Sequence, residues 1–310
     1  LDPNEMAVLP SLSAYSLAAS RLGWDLSRTC CLTLHGRPIE LLTPHLIPGA
    51  RILALSDNGE TPKKVAQLLN NAGFGNSTLT ILEHMGGPTE AMVTTTANKW
   101  ADKTCKDLNT LAIDCVADEN AQPLSLAAGL PDDAFHHDGQ LTKQEIRSAT
   151  LAALAPLPGQ LLWDVGAGCG SIGIEWMRLS PFNQAIAIES RSDRLDYIEK
   201  NRLKLGVPGL KIIPGKAPDG LTGLPSPDAI FMGGGLTGLD VFETCWENLK
   251  PGGCLVANTV TLEGEAKAFS LHEKYGGTLK RLNFSRAEKI GGFTSWKPYR
   301  QVTQLKLVKV

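Results

Sequence analysis

Several features are missing from this 310-residue sequence, and each absence excludes a class of protein. No apolar run reaches the ~18 residues of a membrane-spanning helix, and no basic segment followed by an apolar one forms a leader. No run of Lys and Arg is present and the net charge is -2. Nucleic acid is not expected as a partner, because its phosphates bind to a clustered positive face.

The cysteine pattern excludes both a disulfide framework and a zinc site. The seven cysteines are an odd number, Cys30 and Cys31 are adjacent, and no C-x-x-C pair occurs. His136 and His137 lie in a polar stretch without further metal-ligand spacing, so we interpret them as solvated turn residues and expect no metal. We predict a protein of the reducing cytoplasm.

The clearest motif is a glycine-rich turn between a strand and a helix. The apolar run Leu161-Leu-Trp-Asp-Val165 predicts a buried strand, and Ile174-Glu-Trp-Met177 predicts the helix that follows. Between them Gly166, Gly168 and Gly170 carry no Cβ atom, so a ligand can contact bare backbone while the helix N-terminus offers unpaired N–H groups. The turn predicts a nucleotide-like ligand.

Two ligands fit this turn. Gly168, Gly170 and Gly173 satisfy G-x-G-x-x-G, the dinucleotide fingerprint, which favours a nicotinamide-dependent reductase. Asp164 would repel a pyrophosphate and favours a cation such as S-adenosylmethionine, which carries a sulfonium and an ammonium. Glu189 ends the next predicted strand, where a carboxylate can accept both ribose hydroxyls of either ligand. We predict S-adenosylmethionine, with the reductase and a non-catalytic carrier as alternatives.

The order of predicted elements indicates two α/β domains. Residues 129–310 contain five strands alternating with helices and then a late strand pair, which predicts a doubly wound sheet closed by an antiparallel hairpin. A capping box from Thr142 to Glu145 predicts the start of a helix. Residues 1–118 form a smaller strand and helix module, and 119–128 are a polar linker. Residues 285–293 are interpreted as a glycine-hinged loop over the substrate.

Specific motifs make residues 129–310 similar to the decarboxylating methyltransferases of cobalamin biosynthesis. They are Gly-Leu-Pro-Asp-Asp-Ala-Phe at 129–135, Asp-Gly at 138–139, Leu-Thr-Lys at 141–143, Glu-Ile-Arg at 145–147, Trp-Asp-Val-Gly-Ala-Gly-Cys-Gly-Ser at 163–171, Gly-Lys-Ala-Pro at 215–218, Met-Gly-Gly at 232–234, Leu-Lys-Pro-Gly-Gly at 249–253 and Asn-Thr-Val-Thr-Leu-Glu at 258–263. The resemblance implies a class I S-adenosylmethionine methyltransferase with a Rossmann-like sheet. It also implies methylation of meso carbon 15 of a precorrin tetrapyrrole, or its cobalt analogue, with loss of an acetate carboxyl, by a homo-oligomer such as a tetramer.

The first domain resembles the carboxyl half of a tetrapyrrole methylase. The resemblance rests on Ser-Ala-Tyr-Ser-Leu-Ala-Ala-Ser-Arg-Leu-Gly-Trp at 13–24, Leu-His-Gly-Arg at 34–37, Glu-His-Met-Gly-Gly-Pro at 83–88 and Asp-Leu-Asn-Thr-Leu-Ala at 107–112. The amino half, which carries the glycine-rich opening of that family, is absent. We therefore do not expect this chain to methylate meso carbon 5.

The resemblance also implies the residues of the site. The cofactor residues are Thr142, Asp164, Gly166, Ala167, Gly168, Cys169, Gly170, Glu189, Gly215, Lys216, Ala217, Met232 and Gly233. A tetrapyrrole fringed with carboxylates needs cations, and the candidates are Lys143, Arg147, Arg178, Arg286 and Lys289. Phe293 and Trp296 are candidates for stacking on the macrocycle. No catalytic side chain is assigned, because the conjugated macrocycle can accept the electrons that decarboxylation leaves.

Overall fold

The computed structural model describes residues 2–7, 9–100 and 104–310. The chain divides into two compact units, one that ends at Leu124 and one that spans Ser125–Val310. The division lies inside the predicted linker 119–128. Within the described ranges, no helix combines the length and the apolar character that crossing a membrane requires.

The first unit is a five-stranded sheet with two helices. The strands are β1 (Thr29–Thr33), β2 (Arg51–Leu55), β3 (Thr78–Glu83), β4 (Ala91–Thr96) and β5 (Asn109–Asp114), and the helices are α1 (Ala14–Leu22) and α2 (Thr61–Asn71). The strand order is β1-β2-β5-β3-β4. The pair β1–β2 is parallel and the other three pairs are antiparallel.

Local sequence signals explain part of this unit. Ser13 caps α1 by accepting a hydrogen bond from the Ser16 amide, and Gly23 ends the helix in the left-handed conformation. Thr61 is the first residue of α2, and its Oγ1 accepts from the amides of Asp57 and Asn58. Strands β1 and β4 were missed because neither alternates apolar and polar residues.

The second unit is built on a seven-stranded sheet. Its strands are β6 (Leu161–Val165), β7 (Gln184–Glu189), β8 (Lys211–Pro214), β9 (Ala229–Met232), β10 (Cys254–Thr259), β11 (Thr278–Leu282) and β14 (Val302–Val308), and its helices are α3 (Gln144–Leu154), α4 (Ser171–Arg178), α5 (Ser192–Lys204), α6 (Val241–Asn248) and α7 (Leu262–Tyr275). The order is β11-β14-β10-β9-β6-β7-β8. Strands β6 to β10 are parallel, and β14 is antiparallel to both β10 and β11. The predicted doubly wound sheet with a late antiparallel pair is confirmed.

This topology determines where a ligand can bind. From β6 the chain proceeds to β7 and β8 on one side, whereas β9 and β10 lie on the other side. The strand order therefore reverses between β6 and β9, and the carboxyl ends of these strands border a crevice there. Beneath it the core contains Trp163, Ile230, Phe242 and Leu305, all fully buried.

Two details of the second unit differ from expectation. The segment predicted as a glycine-hinged loop is a separate two-stranded hairpin of β12 (Ser285–Ile290) and β13 (Phe293–Pro298). The capping box is absent, because α3 begins at Gln144 after Lys143, and no side chain caps it. The carboxylate of Glu145 instead accepts hydrogen bonds from Arg286.

Candidate active site

A cleft of about 640 Å³ opens at the carboxyl ends of β6, β9 and β10. The glycine turn after β6 lines the cleft from 166 to 169, and the segment 139–143 ahead of α3 also lines it. Phe231, Asn258 and Tyr299 come from the neighbouring strand ends. The cleft therefore lies at the crevice that the strand order predicts.

The glycines of the turn have different roles. Gly166, Gly168 and Gly170 have φ values of +71°, +61° and +81°, a region that residues with a Cβ atom seldom adopt. A Cβ on Gly168 would meet nothing closer than the Gln140 carbonyl oxygen at 3.9 Å, so this position is open. A Cβ on Gly170 would lie 3.1 Å from Ile198, so that glycine permits close packing of α4 on α5.

Glu189 at the end of β7 holds the turn in place. Its Oε2 accepts a hydrogen bond from the Gly168 amide at 2.9 Å, and its Oε1 accepts from the amides of Ser190 and Arg191 at 2.9 and 3.0 Å. A carboxylate has about four acceptor positions. Three are used within the protein, which leaves about one for a ligand hydroxyl.

Asp164 is a buried acid with one unused oxygen. It is 1% exposed, its Oδ2 accepts from the Gly173 amide at 2.9 Å, and its Oδ1 has no hydrogen-bond partner among the described residues. Burial, together with the smaller effect of the Glu189 charge, raises the pKa of Asp164 to about 7. A bound cation would favour the charged carboxylate, so this acid suits a positively charged ligand.

Arg147 is part of the interior, which corrects its assignment as a substrate clamp. It is fully buried, its Nε donates to Glu175 Oε1 at 2.5 Å, and its Nη1 donates to Asp132 Oδ1 at 3.2 Å. The same guanidinium donates to the carbonyl of Thr142 and lies 4.8 Å from the centre of the Phe135 ring. Arg147 therefore holds the segment that lines the cleft and has no free surface for a substrate.

Glu175 and Asn201 are residues of this region that the sequence reasoning missed. Glu175 is 2% exposed and accepts from the amides of Gly129 and Leu130 as well as from Arg147. Asn201 Nδ2 donates to the carbonyls of His136 and Cys169, and so ties the lining segment to the glycine turn. Glu175 interrupts the apolar start of α4, and a charged residue in an apolar run is the sequence signal that could have indicated its buried role.

The remaining cations differ in their environment. Arg178 is also excluded as a substrate clamp. It lies at the C-terminal end of α4, is 5% exposed, and donates to the carbonyls of Leu205 and Ser125. Lys143 lines the cleft, with Nζ 3.8 Å from Asp132 Oδ2. Arg286 is 41% exposed and paired with Glu145 at 3.1 Å.

The register of the β12–β13 hairpin separates residues that were expected to act together. Arg286 pairs with Lys297 and Ala287 pairs with Trp296, and successive residues of a strand point to opposite faces. Arg286 and Lys289 are three residues apart, so they lie on opposite faces. The same holds for Phe293 and Trp296, which therefore cannot both stack on one macrocycle.

The predicted cofactor residues fall into three groups. Those that line the cleft are Thr142, Gly166, Ala167, Gly168, Cys169 and Gly233. Gly215, Lys216 and Ala217 follow β8 beside Glu189, whose carbonyl accepts from the Gly215 amide at 2.9 Å. Buried residues that do not line the cleft are Asp164, Gly170, Glu189 and Met232. Met232 is fully buried in the core, so its side chain is not available to a ligand.

Tyr299 and Arg300 are cleft residues that the sequence reasoning did not single out. They join β13 to β14, and the Tyr299 ring packs 5.2 Å beneath the Arg286 guanidinium. Arg300 is exposed and has no hydrogen-bond or ion-pair partner in the described part of the chain. The described residues also include no group of three or more His, Cys, Asp or Glu placed to hold a metal.

Comparisons with known proteins agree with this geometry. Residues 133–309 match the family model of the precorrin methyltransferase domain. A precorrin-6Y C(5,15)-methyltransferase (decarboxylating) of Sinorhizobium sp. is 50% identical over 97% of this chain and 73% of its own length. A probable cobalt-precorrin-6B C(15)-methyltransferase (decarboxylating) of Pyrobaculum aerophilum is 32% identical over 56% of this chain and 92% of its own.

A solved structure extends the match to the fold. The crystal structure of the C-terminal domain of precorrin-6Y C5,15-methyltransferase from Rhodobacter capsulatus is 42% identical, with a TM-score of 0.57, and covers 60% of this chain and 100% of its own. The predicted class I methyltransferase fold is confirmed, and the nicotinamide-dependent reductase is not supported. The chain belongs to the family of decarboxylating precorrin-6Y C(5,15)-methyltransferases.

Proposed function

We propose that this chain uses S-adenosylmethionine to methylate meso carbon 15 of a precorrin, or of its cobalt analogue, and removes the carboxyl group of an acetate side chain. The observation that carries the proposal is the glycine turn at the switch point of the parallel sheet, with the buried acid Asp164 behind it. The names of the relatives support the substrate class.

The residues of the turn fit this cofactor. Gly166 and Gly168 offer a surface without Cβ atoms to its amino-acid end, and Glu189 has about one acceptor position left for a ribose hydroxyl. The segment 215–217 lies next to Glu189 and is assigned to the adenine. When bound, S-adenosylmethionine supplies an electrophilic methyl group on a sulfonium.

The substrate's own chemistry explains why no protein nucleophile is needed. The bond from the acetate methylene to the carboxyl carbon breaks, carbon dioxide leaves, and the electron pair passes into the conjugated macrocycle. The meso carbon gains one methyl group, and a proton moves from it to the former acetate methylene, which becomes a methyl group. The protein contributes orientation and a site shielded from water.

The carboxylates of the substrate require cations around the cleft. Lys143 lines the cleft directly and Arg300 has no partner among the described residues, so these two are the first candidates. Arg286 donates to Glu145 through Nε and Nη2, so its charge is already partly neutralised by a carboxylate of the protein. Lys289 lies on the opposite face of the β12–β13 hairpin and is the weakest of the remaining clamp candidates.

We further infer one methylation for these 310 residues. The described part of the first unit has no glycine-rich turn between a parallel strand and a helix, and three of its four strand pairs are antiparallel. We assign 1–118 to the carboxyl half of a tetrapyrrole methylase, 119–128 to the linker and 129–310 to the decarboxylating methyltransferase. Methylation at meso carbon 5 is therefore not assigned to this chain.

Assembly and location follow from surface and thiol chemistry. Ile290 and Phe293, which pair across the β12–β13 hairpin, are 64% and 83% exposed, and this apolar pair supports a homo-oligomer such as a tetramer. All seven cysteines are free thiols, which supports a reducing cytoplasm.

Product mass tests the proposed reaction. The full chain is incubated with S-adenosylmethionine and a precorrin carrying the intact acetate, and the product is followed by mass spectrometry. We expect one methyl group gained and one carbon dioxide lost. A product with two new methyl groups, or one that retains its carboxyl group, would contradict the proposal.

A further inference from the structure

The motif Asn-Thr-Val-Thr-Leu-Glu at 258–263 contains one residue that its local structure does not explain. Thr261 caps α7 by accepting from the Gly264 amide at 3.2 Å. Thr259 packs so closely on Gly264 that a Cβ there would collide with its hydroxyl oxygen. These contacts account for the turn from β10 into α7. Asn258 takes no part in them.

Asn258 is held instead by two buried residues from distant parts of the chain. Its Nδ2 donates to Thr150 Oγ1 at 2.8 Å, and its Oδ1 accepts from Gln304 Nε2 at 3.1 Å. Thr150 on α3 is fully buried, and Gln304 on β14 is 3% exposed and directly opposite Asn258 in the β10–β14 pair. Thr150 and Gln304, which are 108 and 46 positions away from Asn258 in the sequence, thus hold its amide in place.

The network leaves no freedom in how the amide is oriented. Thr150 Oγ1 donates its proton to the Ile146 carbonyl at 2.7 Å, so it can only accept from other groups. Both amides that contact it must therefore present their nitrogen atoms. Asn258 consequently keeps one Nδ2 proton and one Oδ1 lone pair for another partner.

Asn258 lines the cleft at the carboxyl end of β10 and is only partly buried. Among the other polar side chains of the cleft, Lys143 and Arg300 are charged and Arg194 is paired with Asp138, whereas the neutral hydroxyls of Thr142 and Tyr299 are not held by hydrogen bonds from other described residues as the Asn258 amide is. We propose that Asn258 binds, through its remaining amide N–H, the acetate carboxylate that the substrate loses, with Thr150 and Gln304 as positioning residues. This inference rests on the proposed function.

A neutral donor suits the carboxylate that leaves. Its negative charge moves into the macrocycle as the carbon–carbon bond breaks, so a cation beside it would stabilise the starting state more than the transition state and slow the reaction. An amide N–H orients the carboxylate with a much smaller penalty. The cations Lys143 and Arg300 are better suited to the carboxylates that remain on the macrocycle.

The test separates carbon dioxide release from cofactor binding. The parent chain, Asn258→Ala and Asn258→Asp are compared for carbon dioxide release, product mass and affinity for S-adenosylhomocysteine. We expect kcat for carbon dioxide release to fall about 10-fold to 100-fold in Asn258→Ala, because the carboxylate is no longer held in the orientation from which the carbon–carbon bond breaks. Asn258→Asp should in addition raise the KM for the substrate, since two negative charges would face each other in the bound state. Affinity for S-adenosylhomocysteine should stay within about twofold.

The positioning residues give a second readout. Thr150→Val removes the oxygen that orients the amide and should lower kcat for carbon dioxide release in the same direction, whereas Thr150→Ser keeps the oxygen and should restore it. Asn248→Ala, which removes an amide on α6 that donates to the Thr244 carbonyl, is the matched control and should match the parent.

Two outcomes would overturn the inference. Carbon dioxide release within twofold of the parent in Asn258→Ala would show that the amide does not bind the carboxylate. The second outcome is that Asn258→Ala loses S-adenosylhomocysteine affinity and melting temperature together with carbon dioxide release, and that Thr150→Val and Thr150→Ser lose equally. The network would then have a structural role alone. If the parent itself released no carbon dioxide, the proposed function would fail instead.

Discussion

The two larger sheets of this protein, with five and seven strands, differ in strand direction. In the second unit five neighbouring strands, β8, β7, β6, β9 and β10, run parallel, so their carboxyl ends meet at one edge. In the first unit β2, β5, β3 and β4 alternate in direction. Polar groups at the ends of successive strands therefore converge only in the second unit.

Matched residues illustrate the consequence. Glu83 ends β3 and Glu189 ends β7, and each accepts a hydrogen bond from a backbone amide. Glu83 accepts from Lys106 on a connecting loop, whereas Glu189 accepts from Gly168 at the cleft. The same residue type at a strand end contributes to a site only where neighbouring strands run in the same direction.

Separating the units should have the largest effect. A chain of residues 125–310 should bind S-adenosylhomocysteine as the full chain does and release carbon dioxide from the substrate, whereas residues 1–124 should bind none. The solved C-terminal domain of the Rhodobacter capsulatus relative supports independent folding of the second unit. Calorimetric titration of both pieces measures this. Cofactor binding by residues 1–124 would contradict the inference that only the second unit has a cofactor site.

Gly168→Arg should abolish cofactor binding. The side chain would occupy the open space where backbone must approach the ligand, since the nearest atom is the Gln140 carbonyl oxygen at 3.9 Å. Gly36 in the first unit, with φ +64° and nothing within 4 Å, is the matched control. Both variants carry a similar backbone strain of about 1–2 kcal/mol. Titration with S-adenosylhomocysteine should show loss of binding in Gly168→Arg alone.

Glu189→Ala should weaken cofactor binding by roughly 1.5–3 kcal/mol, or about one to two decades of affinity, because the ribose partner and the anchor of the turn are both removed. S-adenosylmethionine and S-adenosylhomocysteine should be affected alike, since the ribose is common to them. Glu83→Ala is the control and should bind as the parent does. Weakening of the sulfonium form alone would assign Glu189 to another part of the ligand.

The smallest effect concerns the pH dependence of stability. Burial raises the pKa of Asp164 in the folded protein to about 7, above its value in an unfolded chain, so folding is favoured by the protonated acid. The contribution of Asp164 to the free energy of unfolding is fully present below the pKa that this acid has in the unfolded chain. It is lost as the pH rises through about 7, the pKa in the folded protein. Between pH 6 and pH 7, residues 125–310 should lose about 1 kcal/mol of unfolding free energy relative to Asp164→Asn.

Urea unfolding of both proteins at the two pH values measures this difference. Asp114→Asn in the full chain, at the end of the antiparallel β5 and with a side chain 43% exposed, is the control and should keep the parent's pH dependence. If the unfolding free energies of Asp164→Asn and of its parent changed equally with pH, Asp164 would not be the titrating group.

Local sequence determined the elements of this protein and the position of the glycine turn. The run Leu161–Val165, the glycines after it and the capping residues of α1 act over a few positions, so their physical signals are readable in the chain. The order of strands and helices was sufficient to predict the doubly wound sheet. Specific motifs were sufficient to predict the methyltransferase family.

Only the tertiary structure decided which polar side chains face the ligand. Arg147 looked like a substrate clamp, but Glu175, 28 residues away, pairs with it in the interior. Asn258 was only the first residue of a family motif in the sequence, but Thr150, 108 residues away, directs its amide. Both outcomes depend on contacts between residues far apart in sequence, which become neighbours only when helices pack on the sheet. A charged or polar side chain carries no local signal of whether its partner will be protein or substrate.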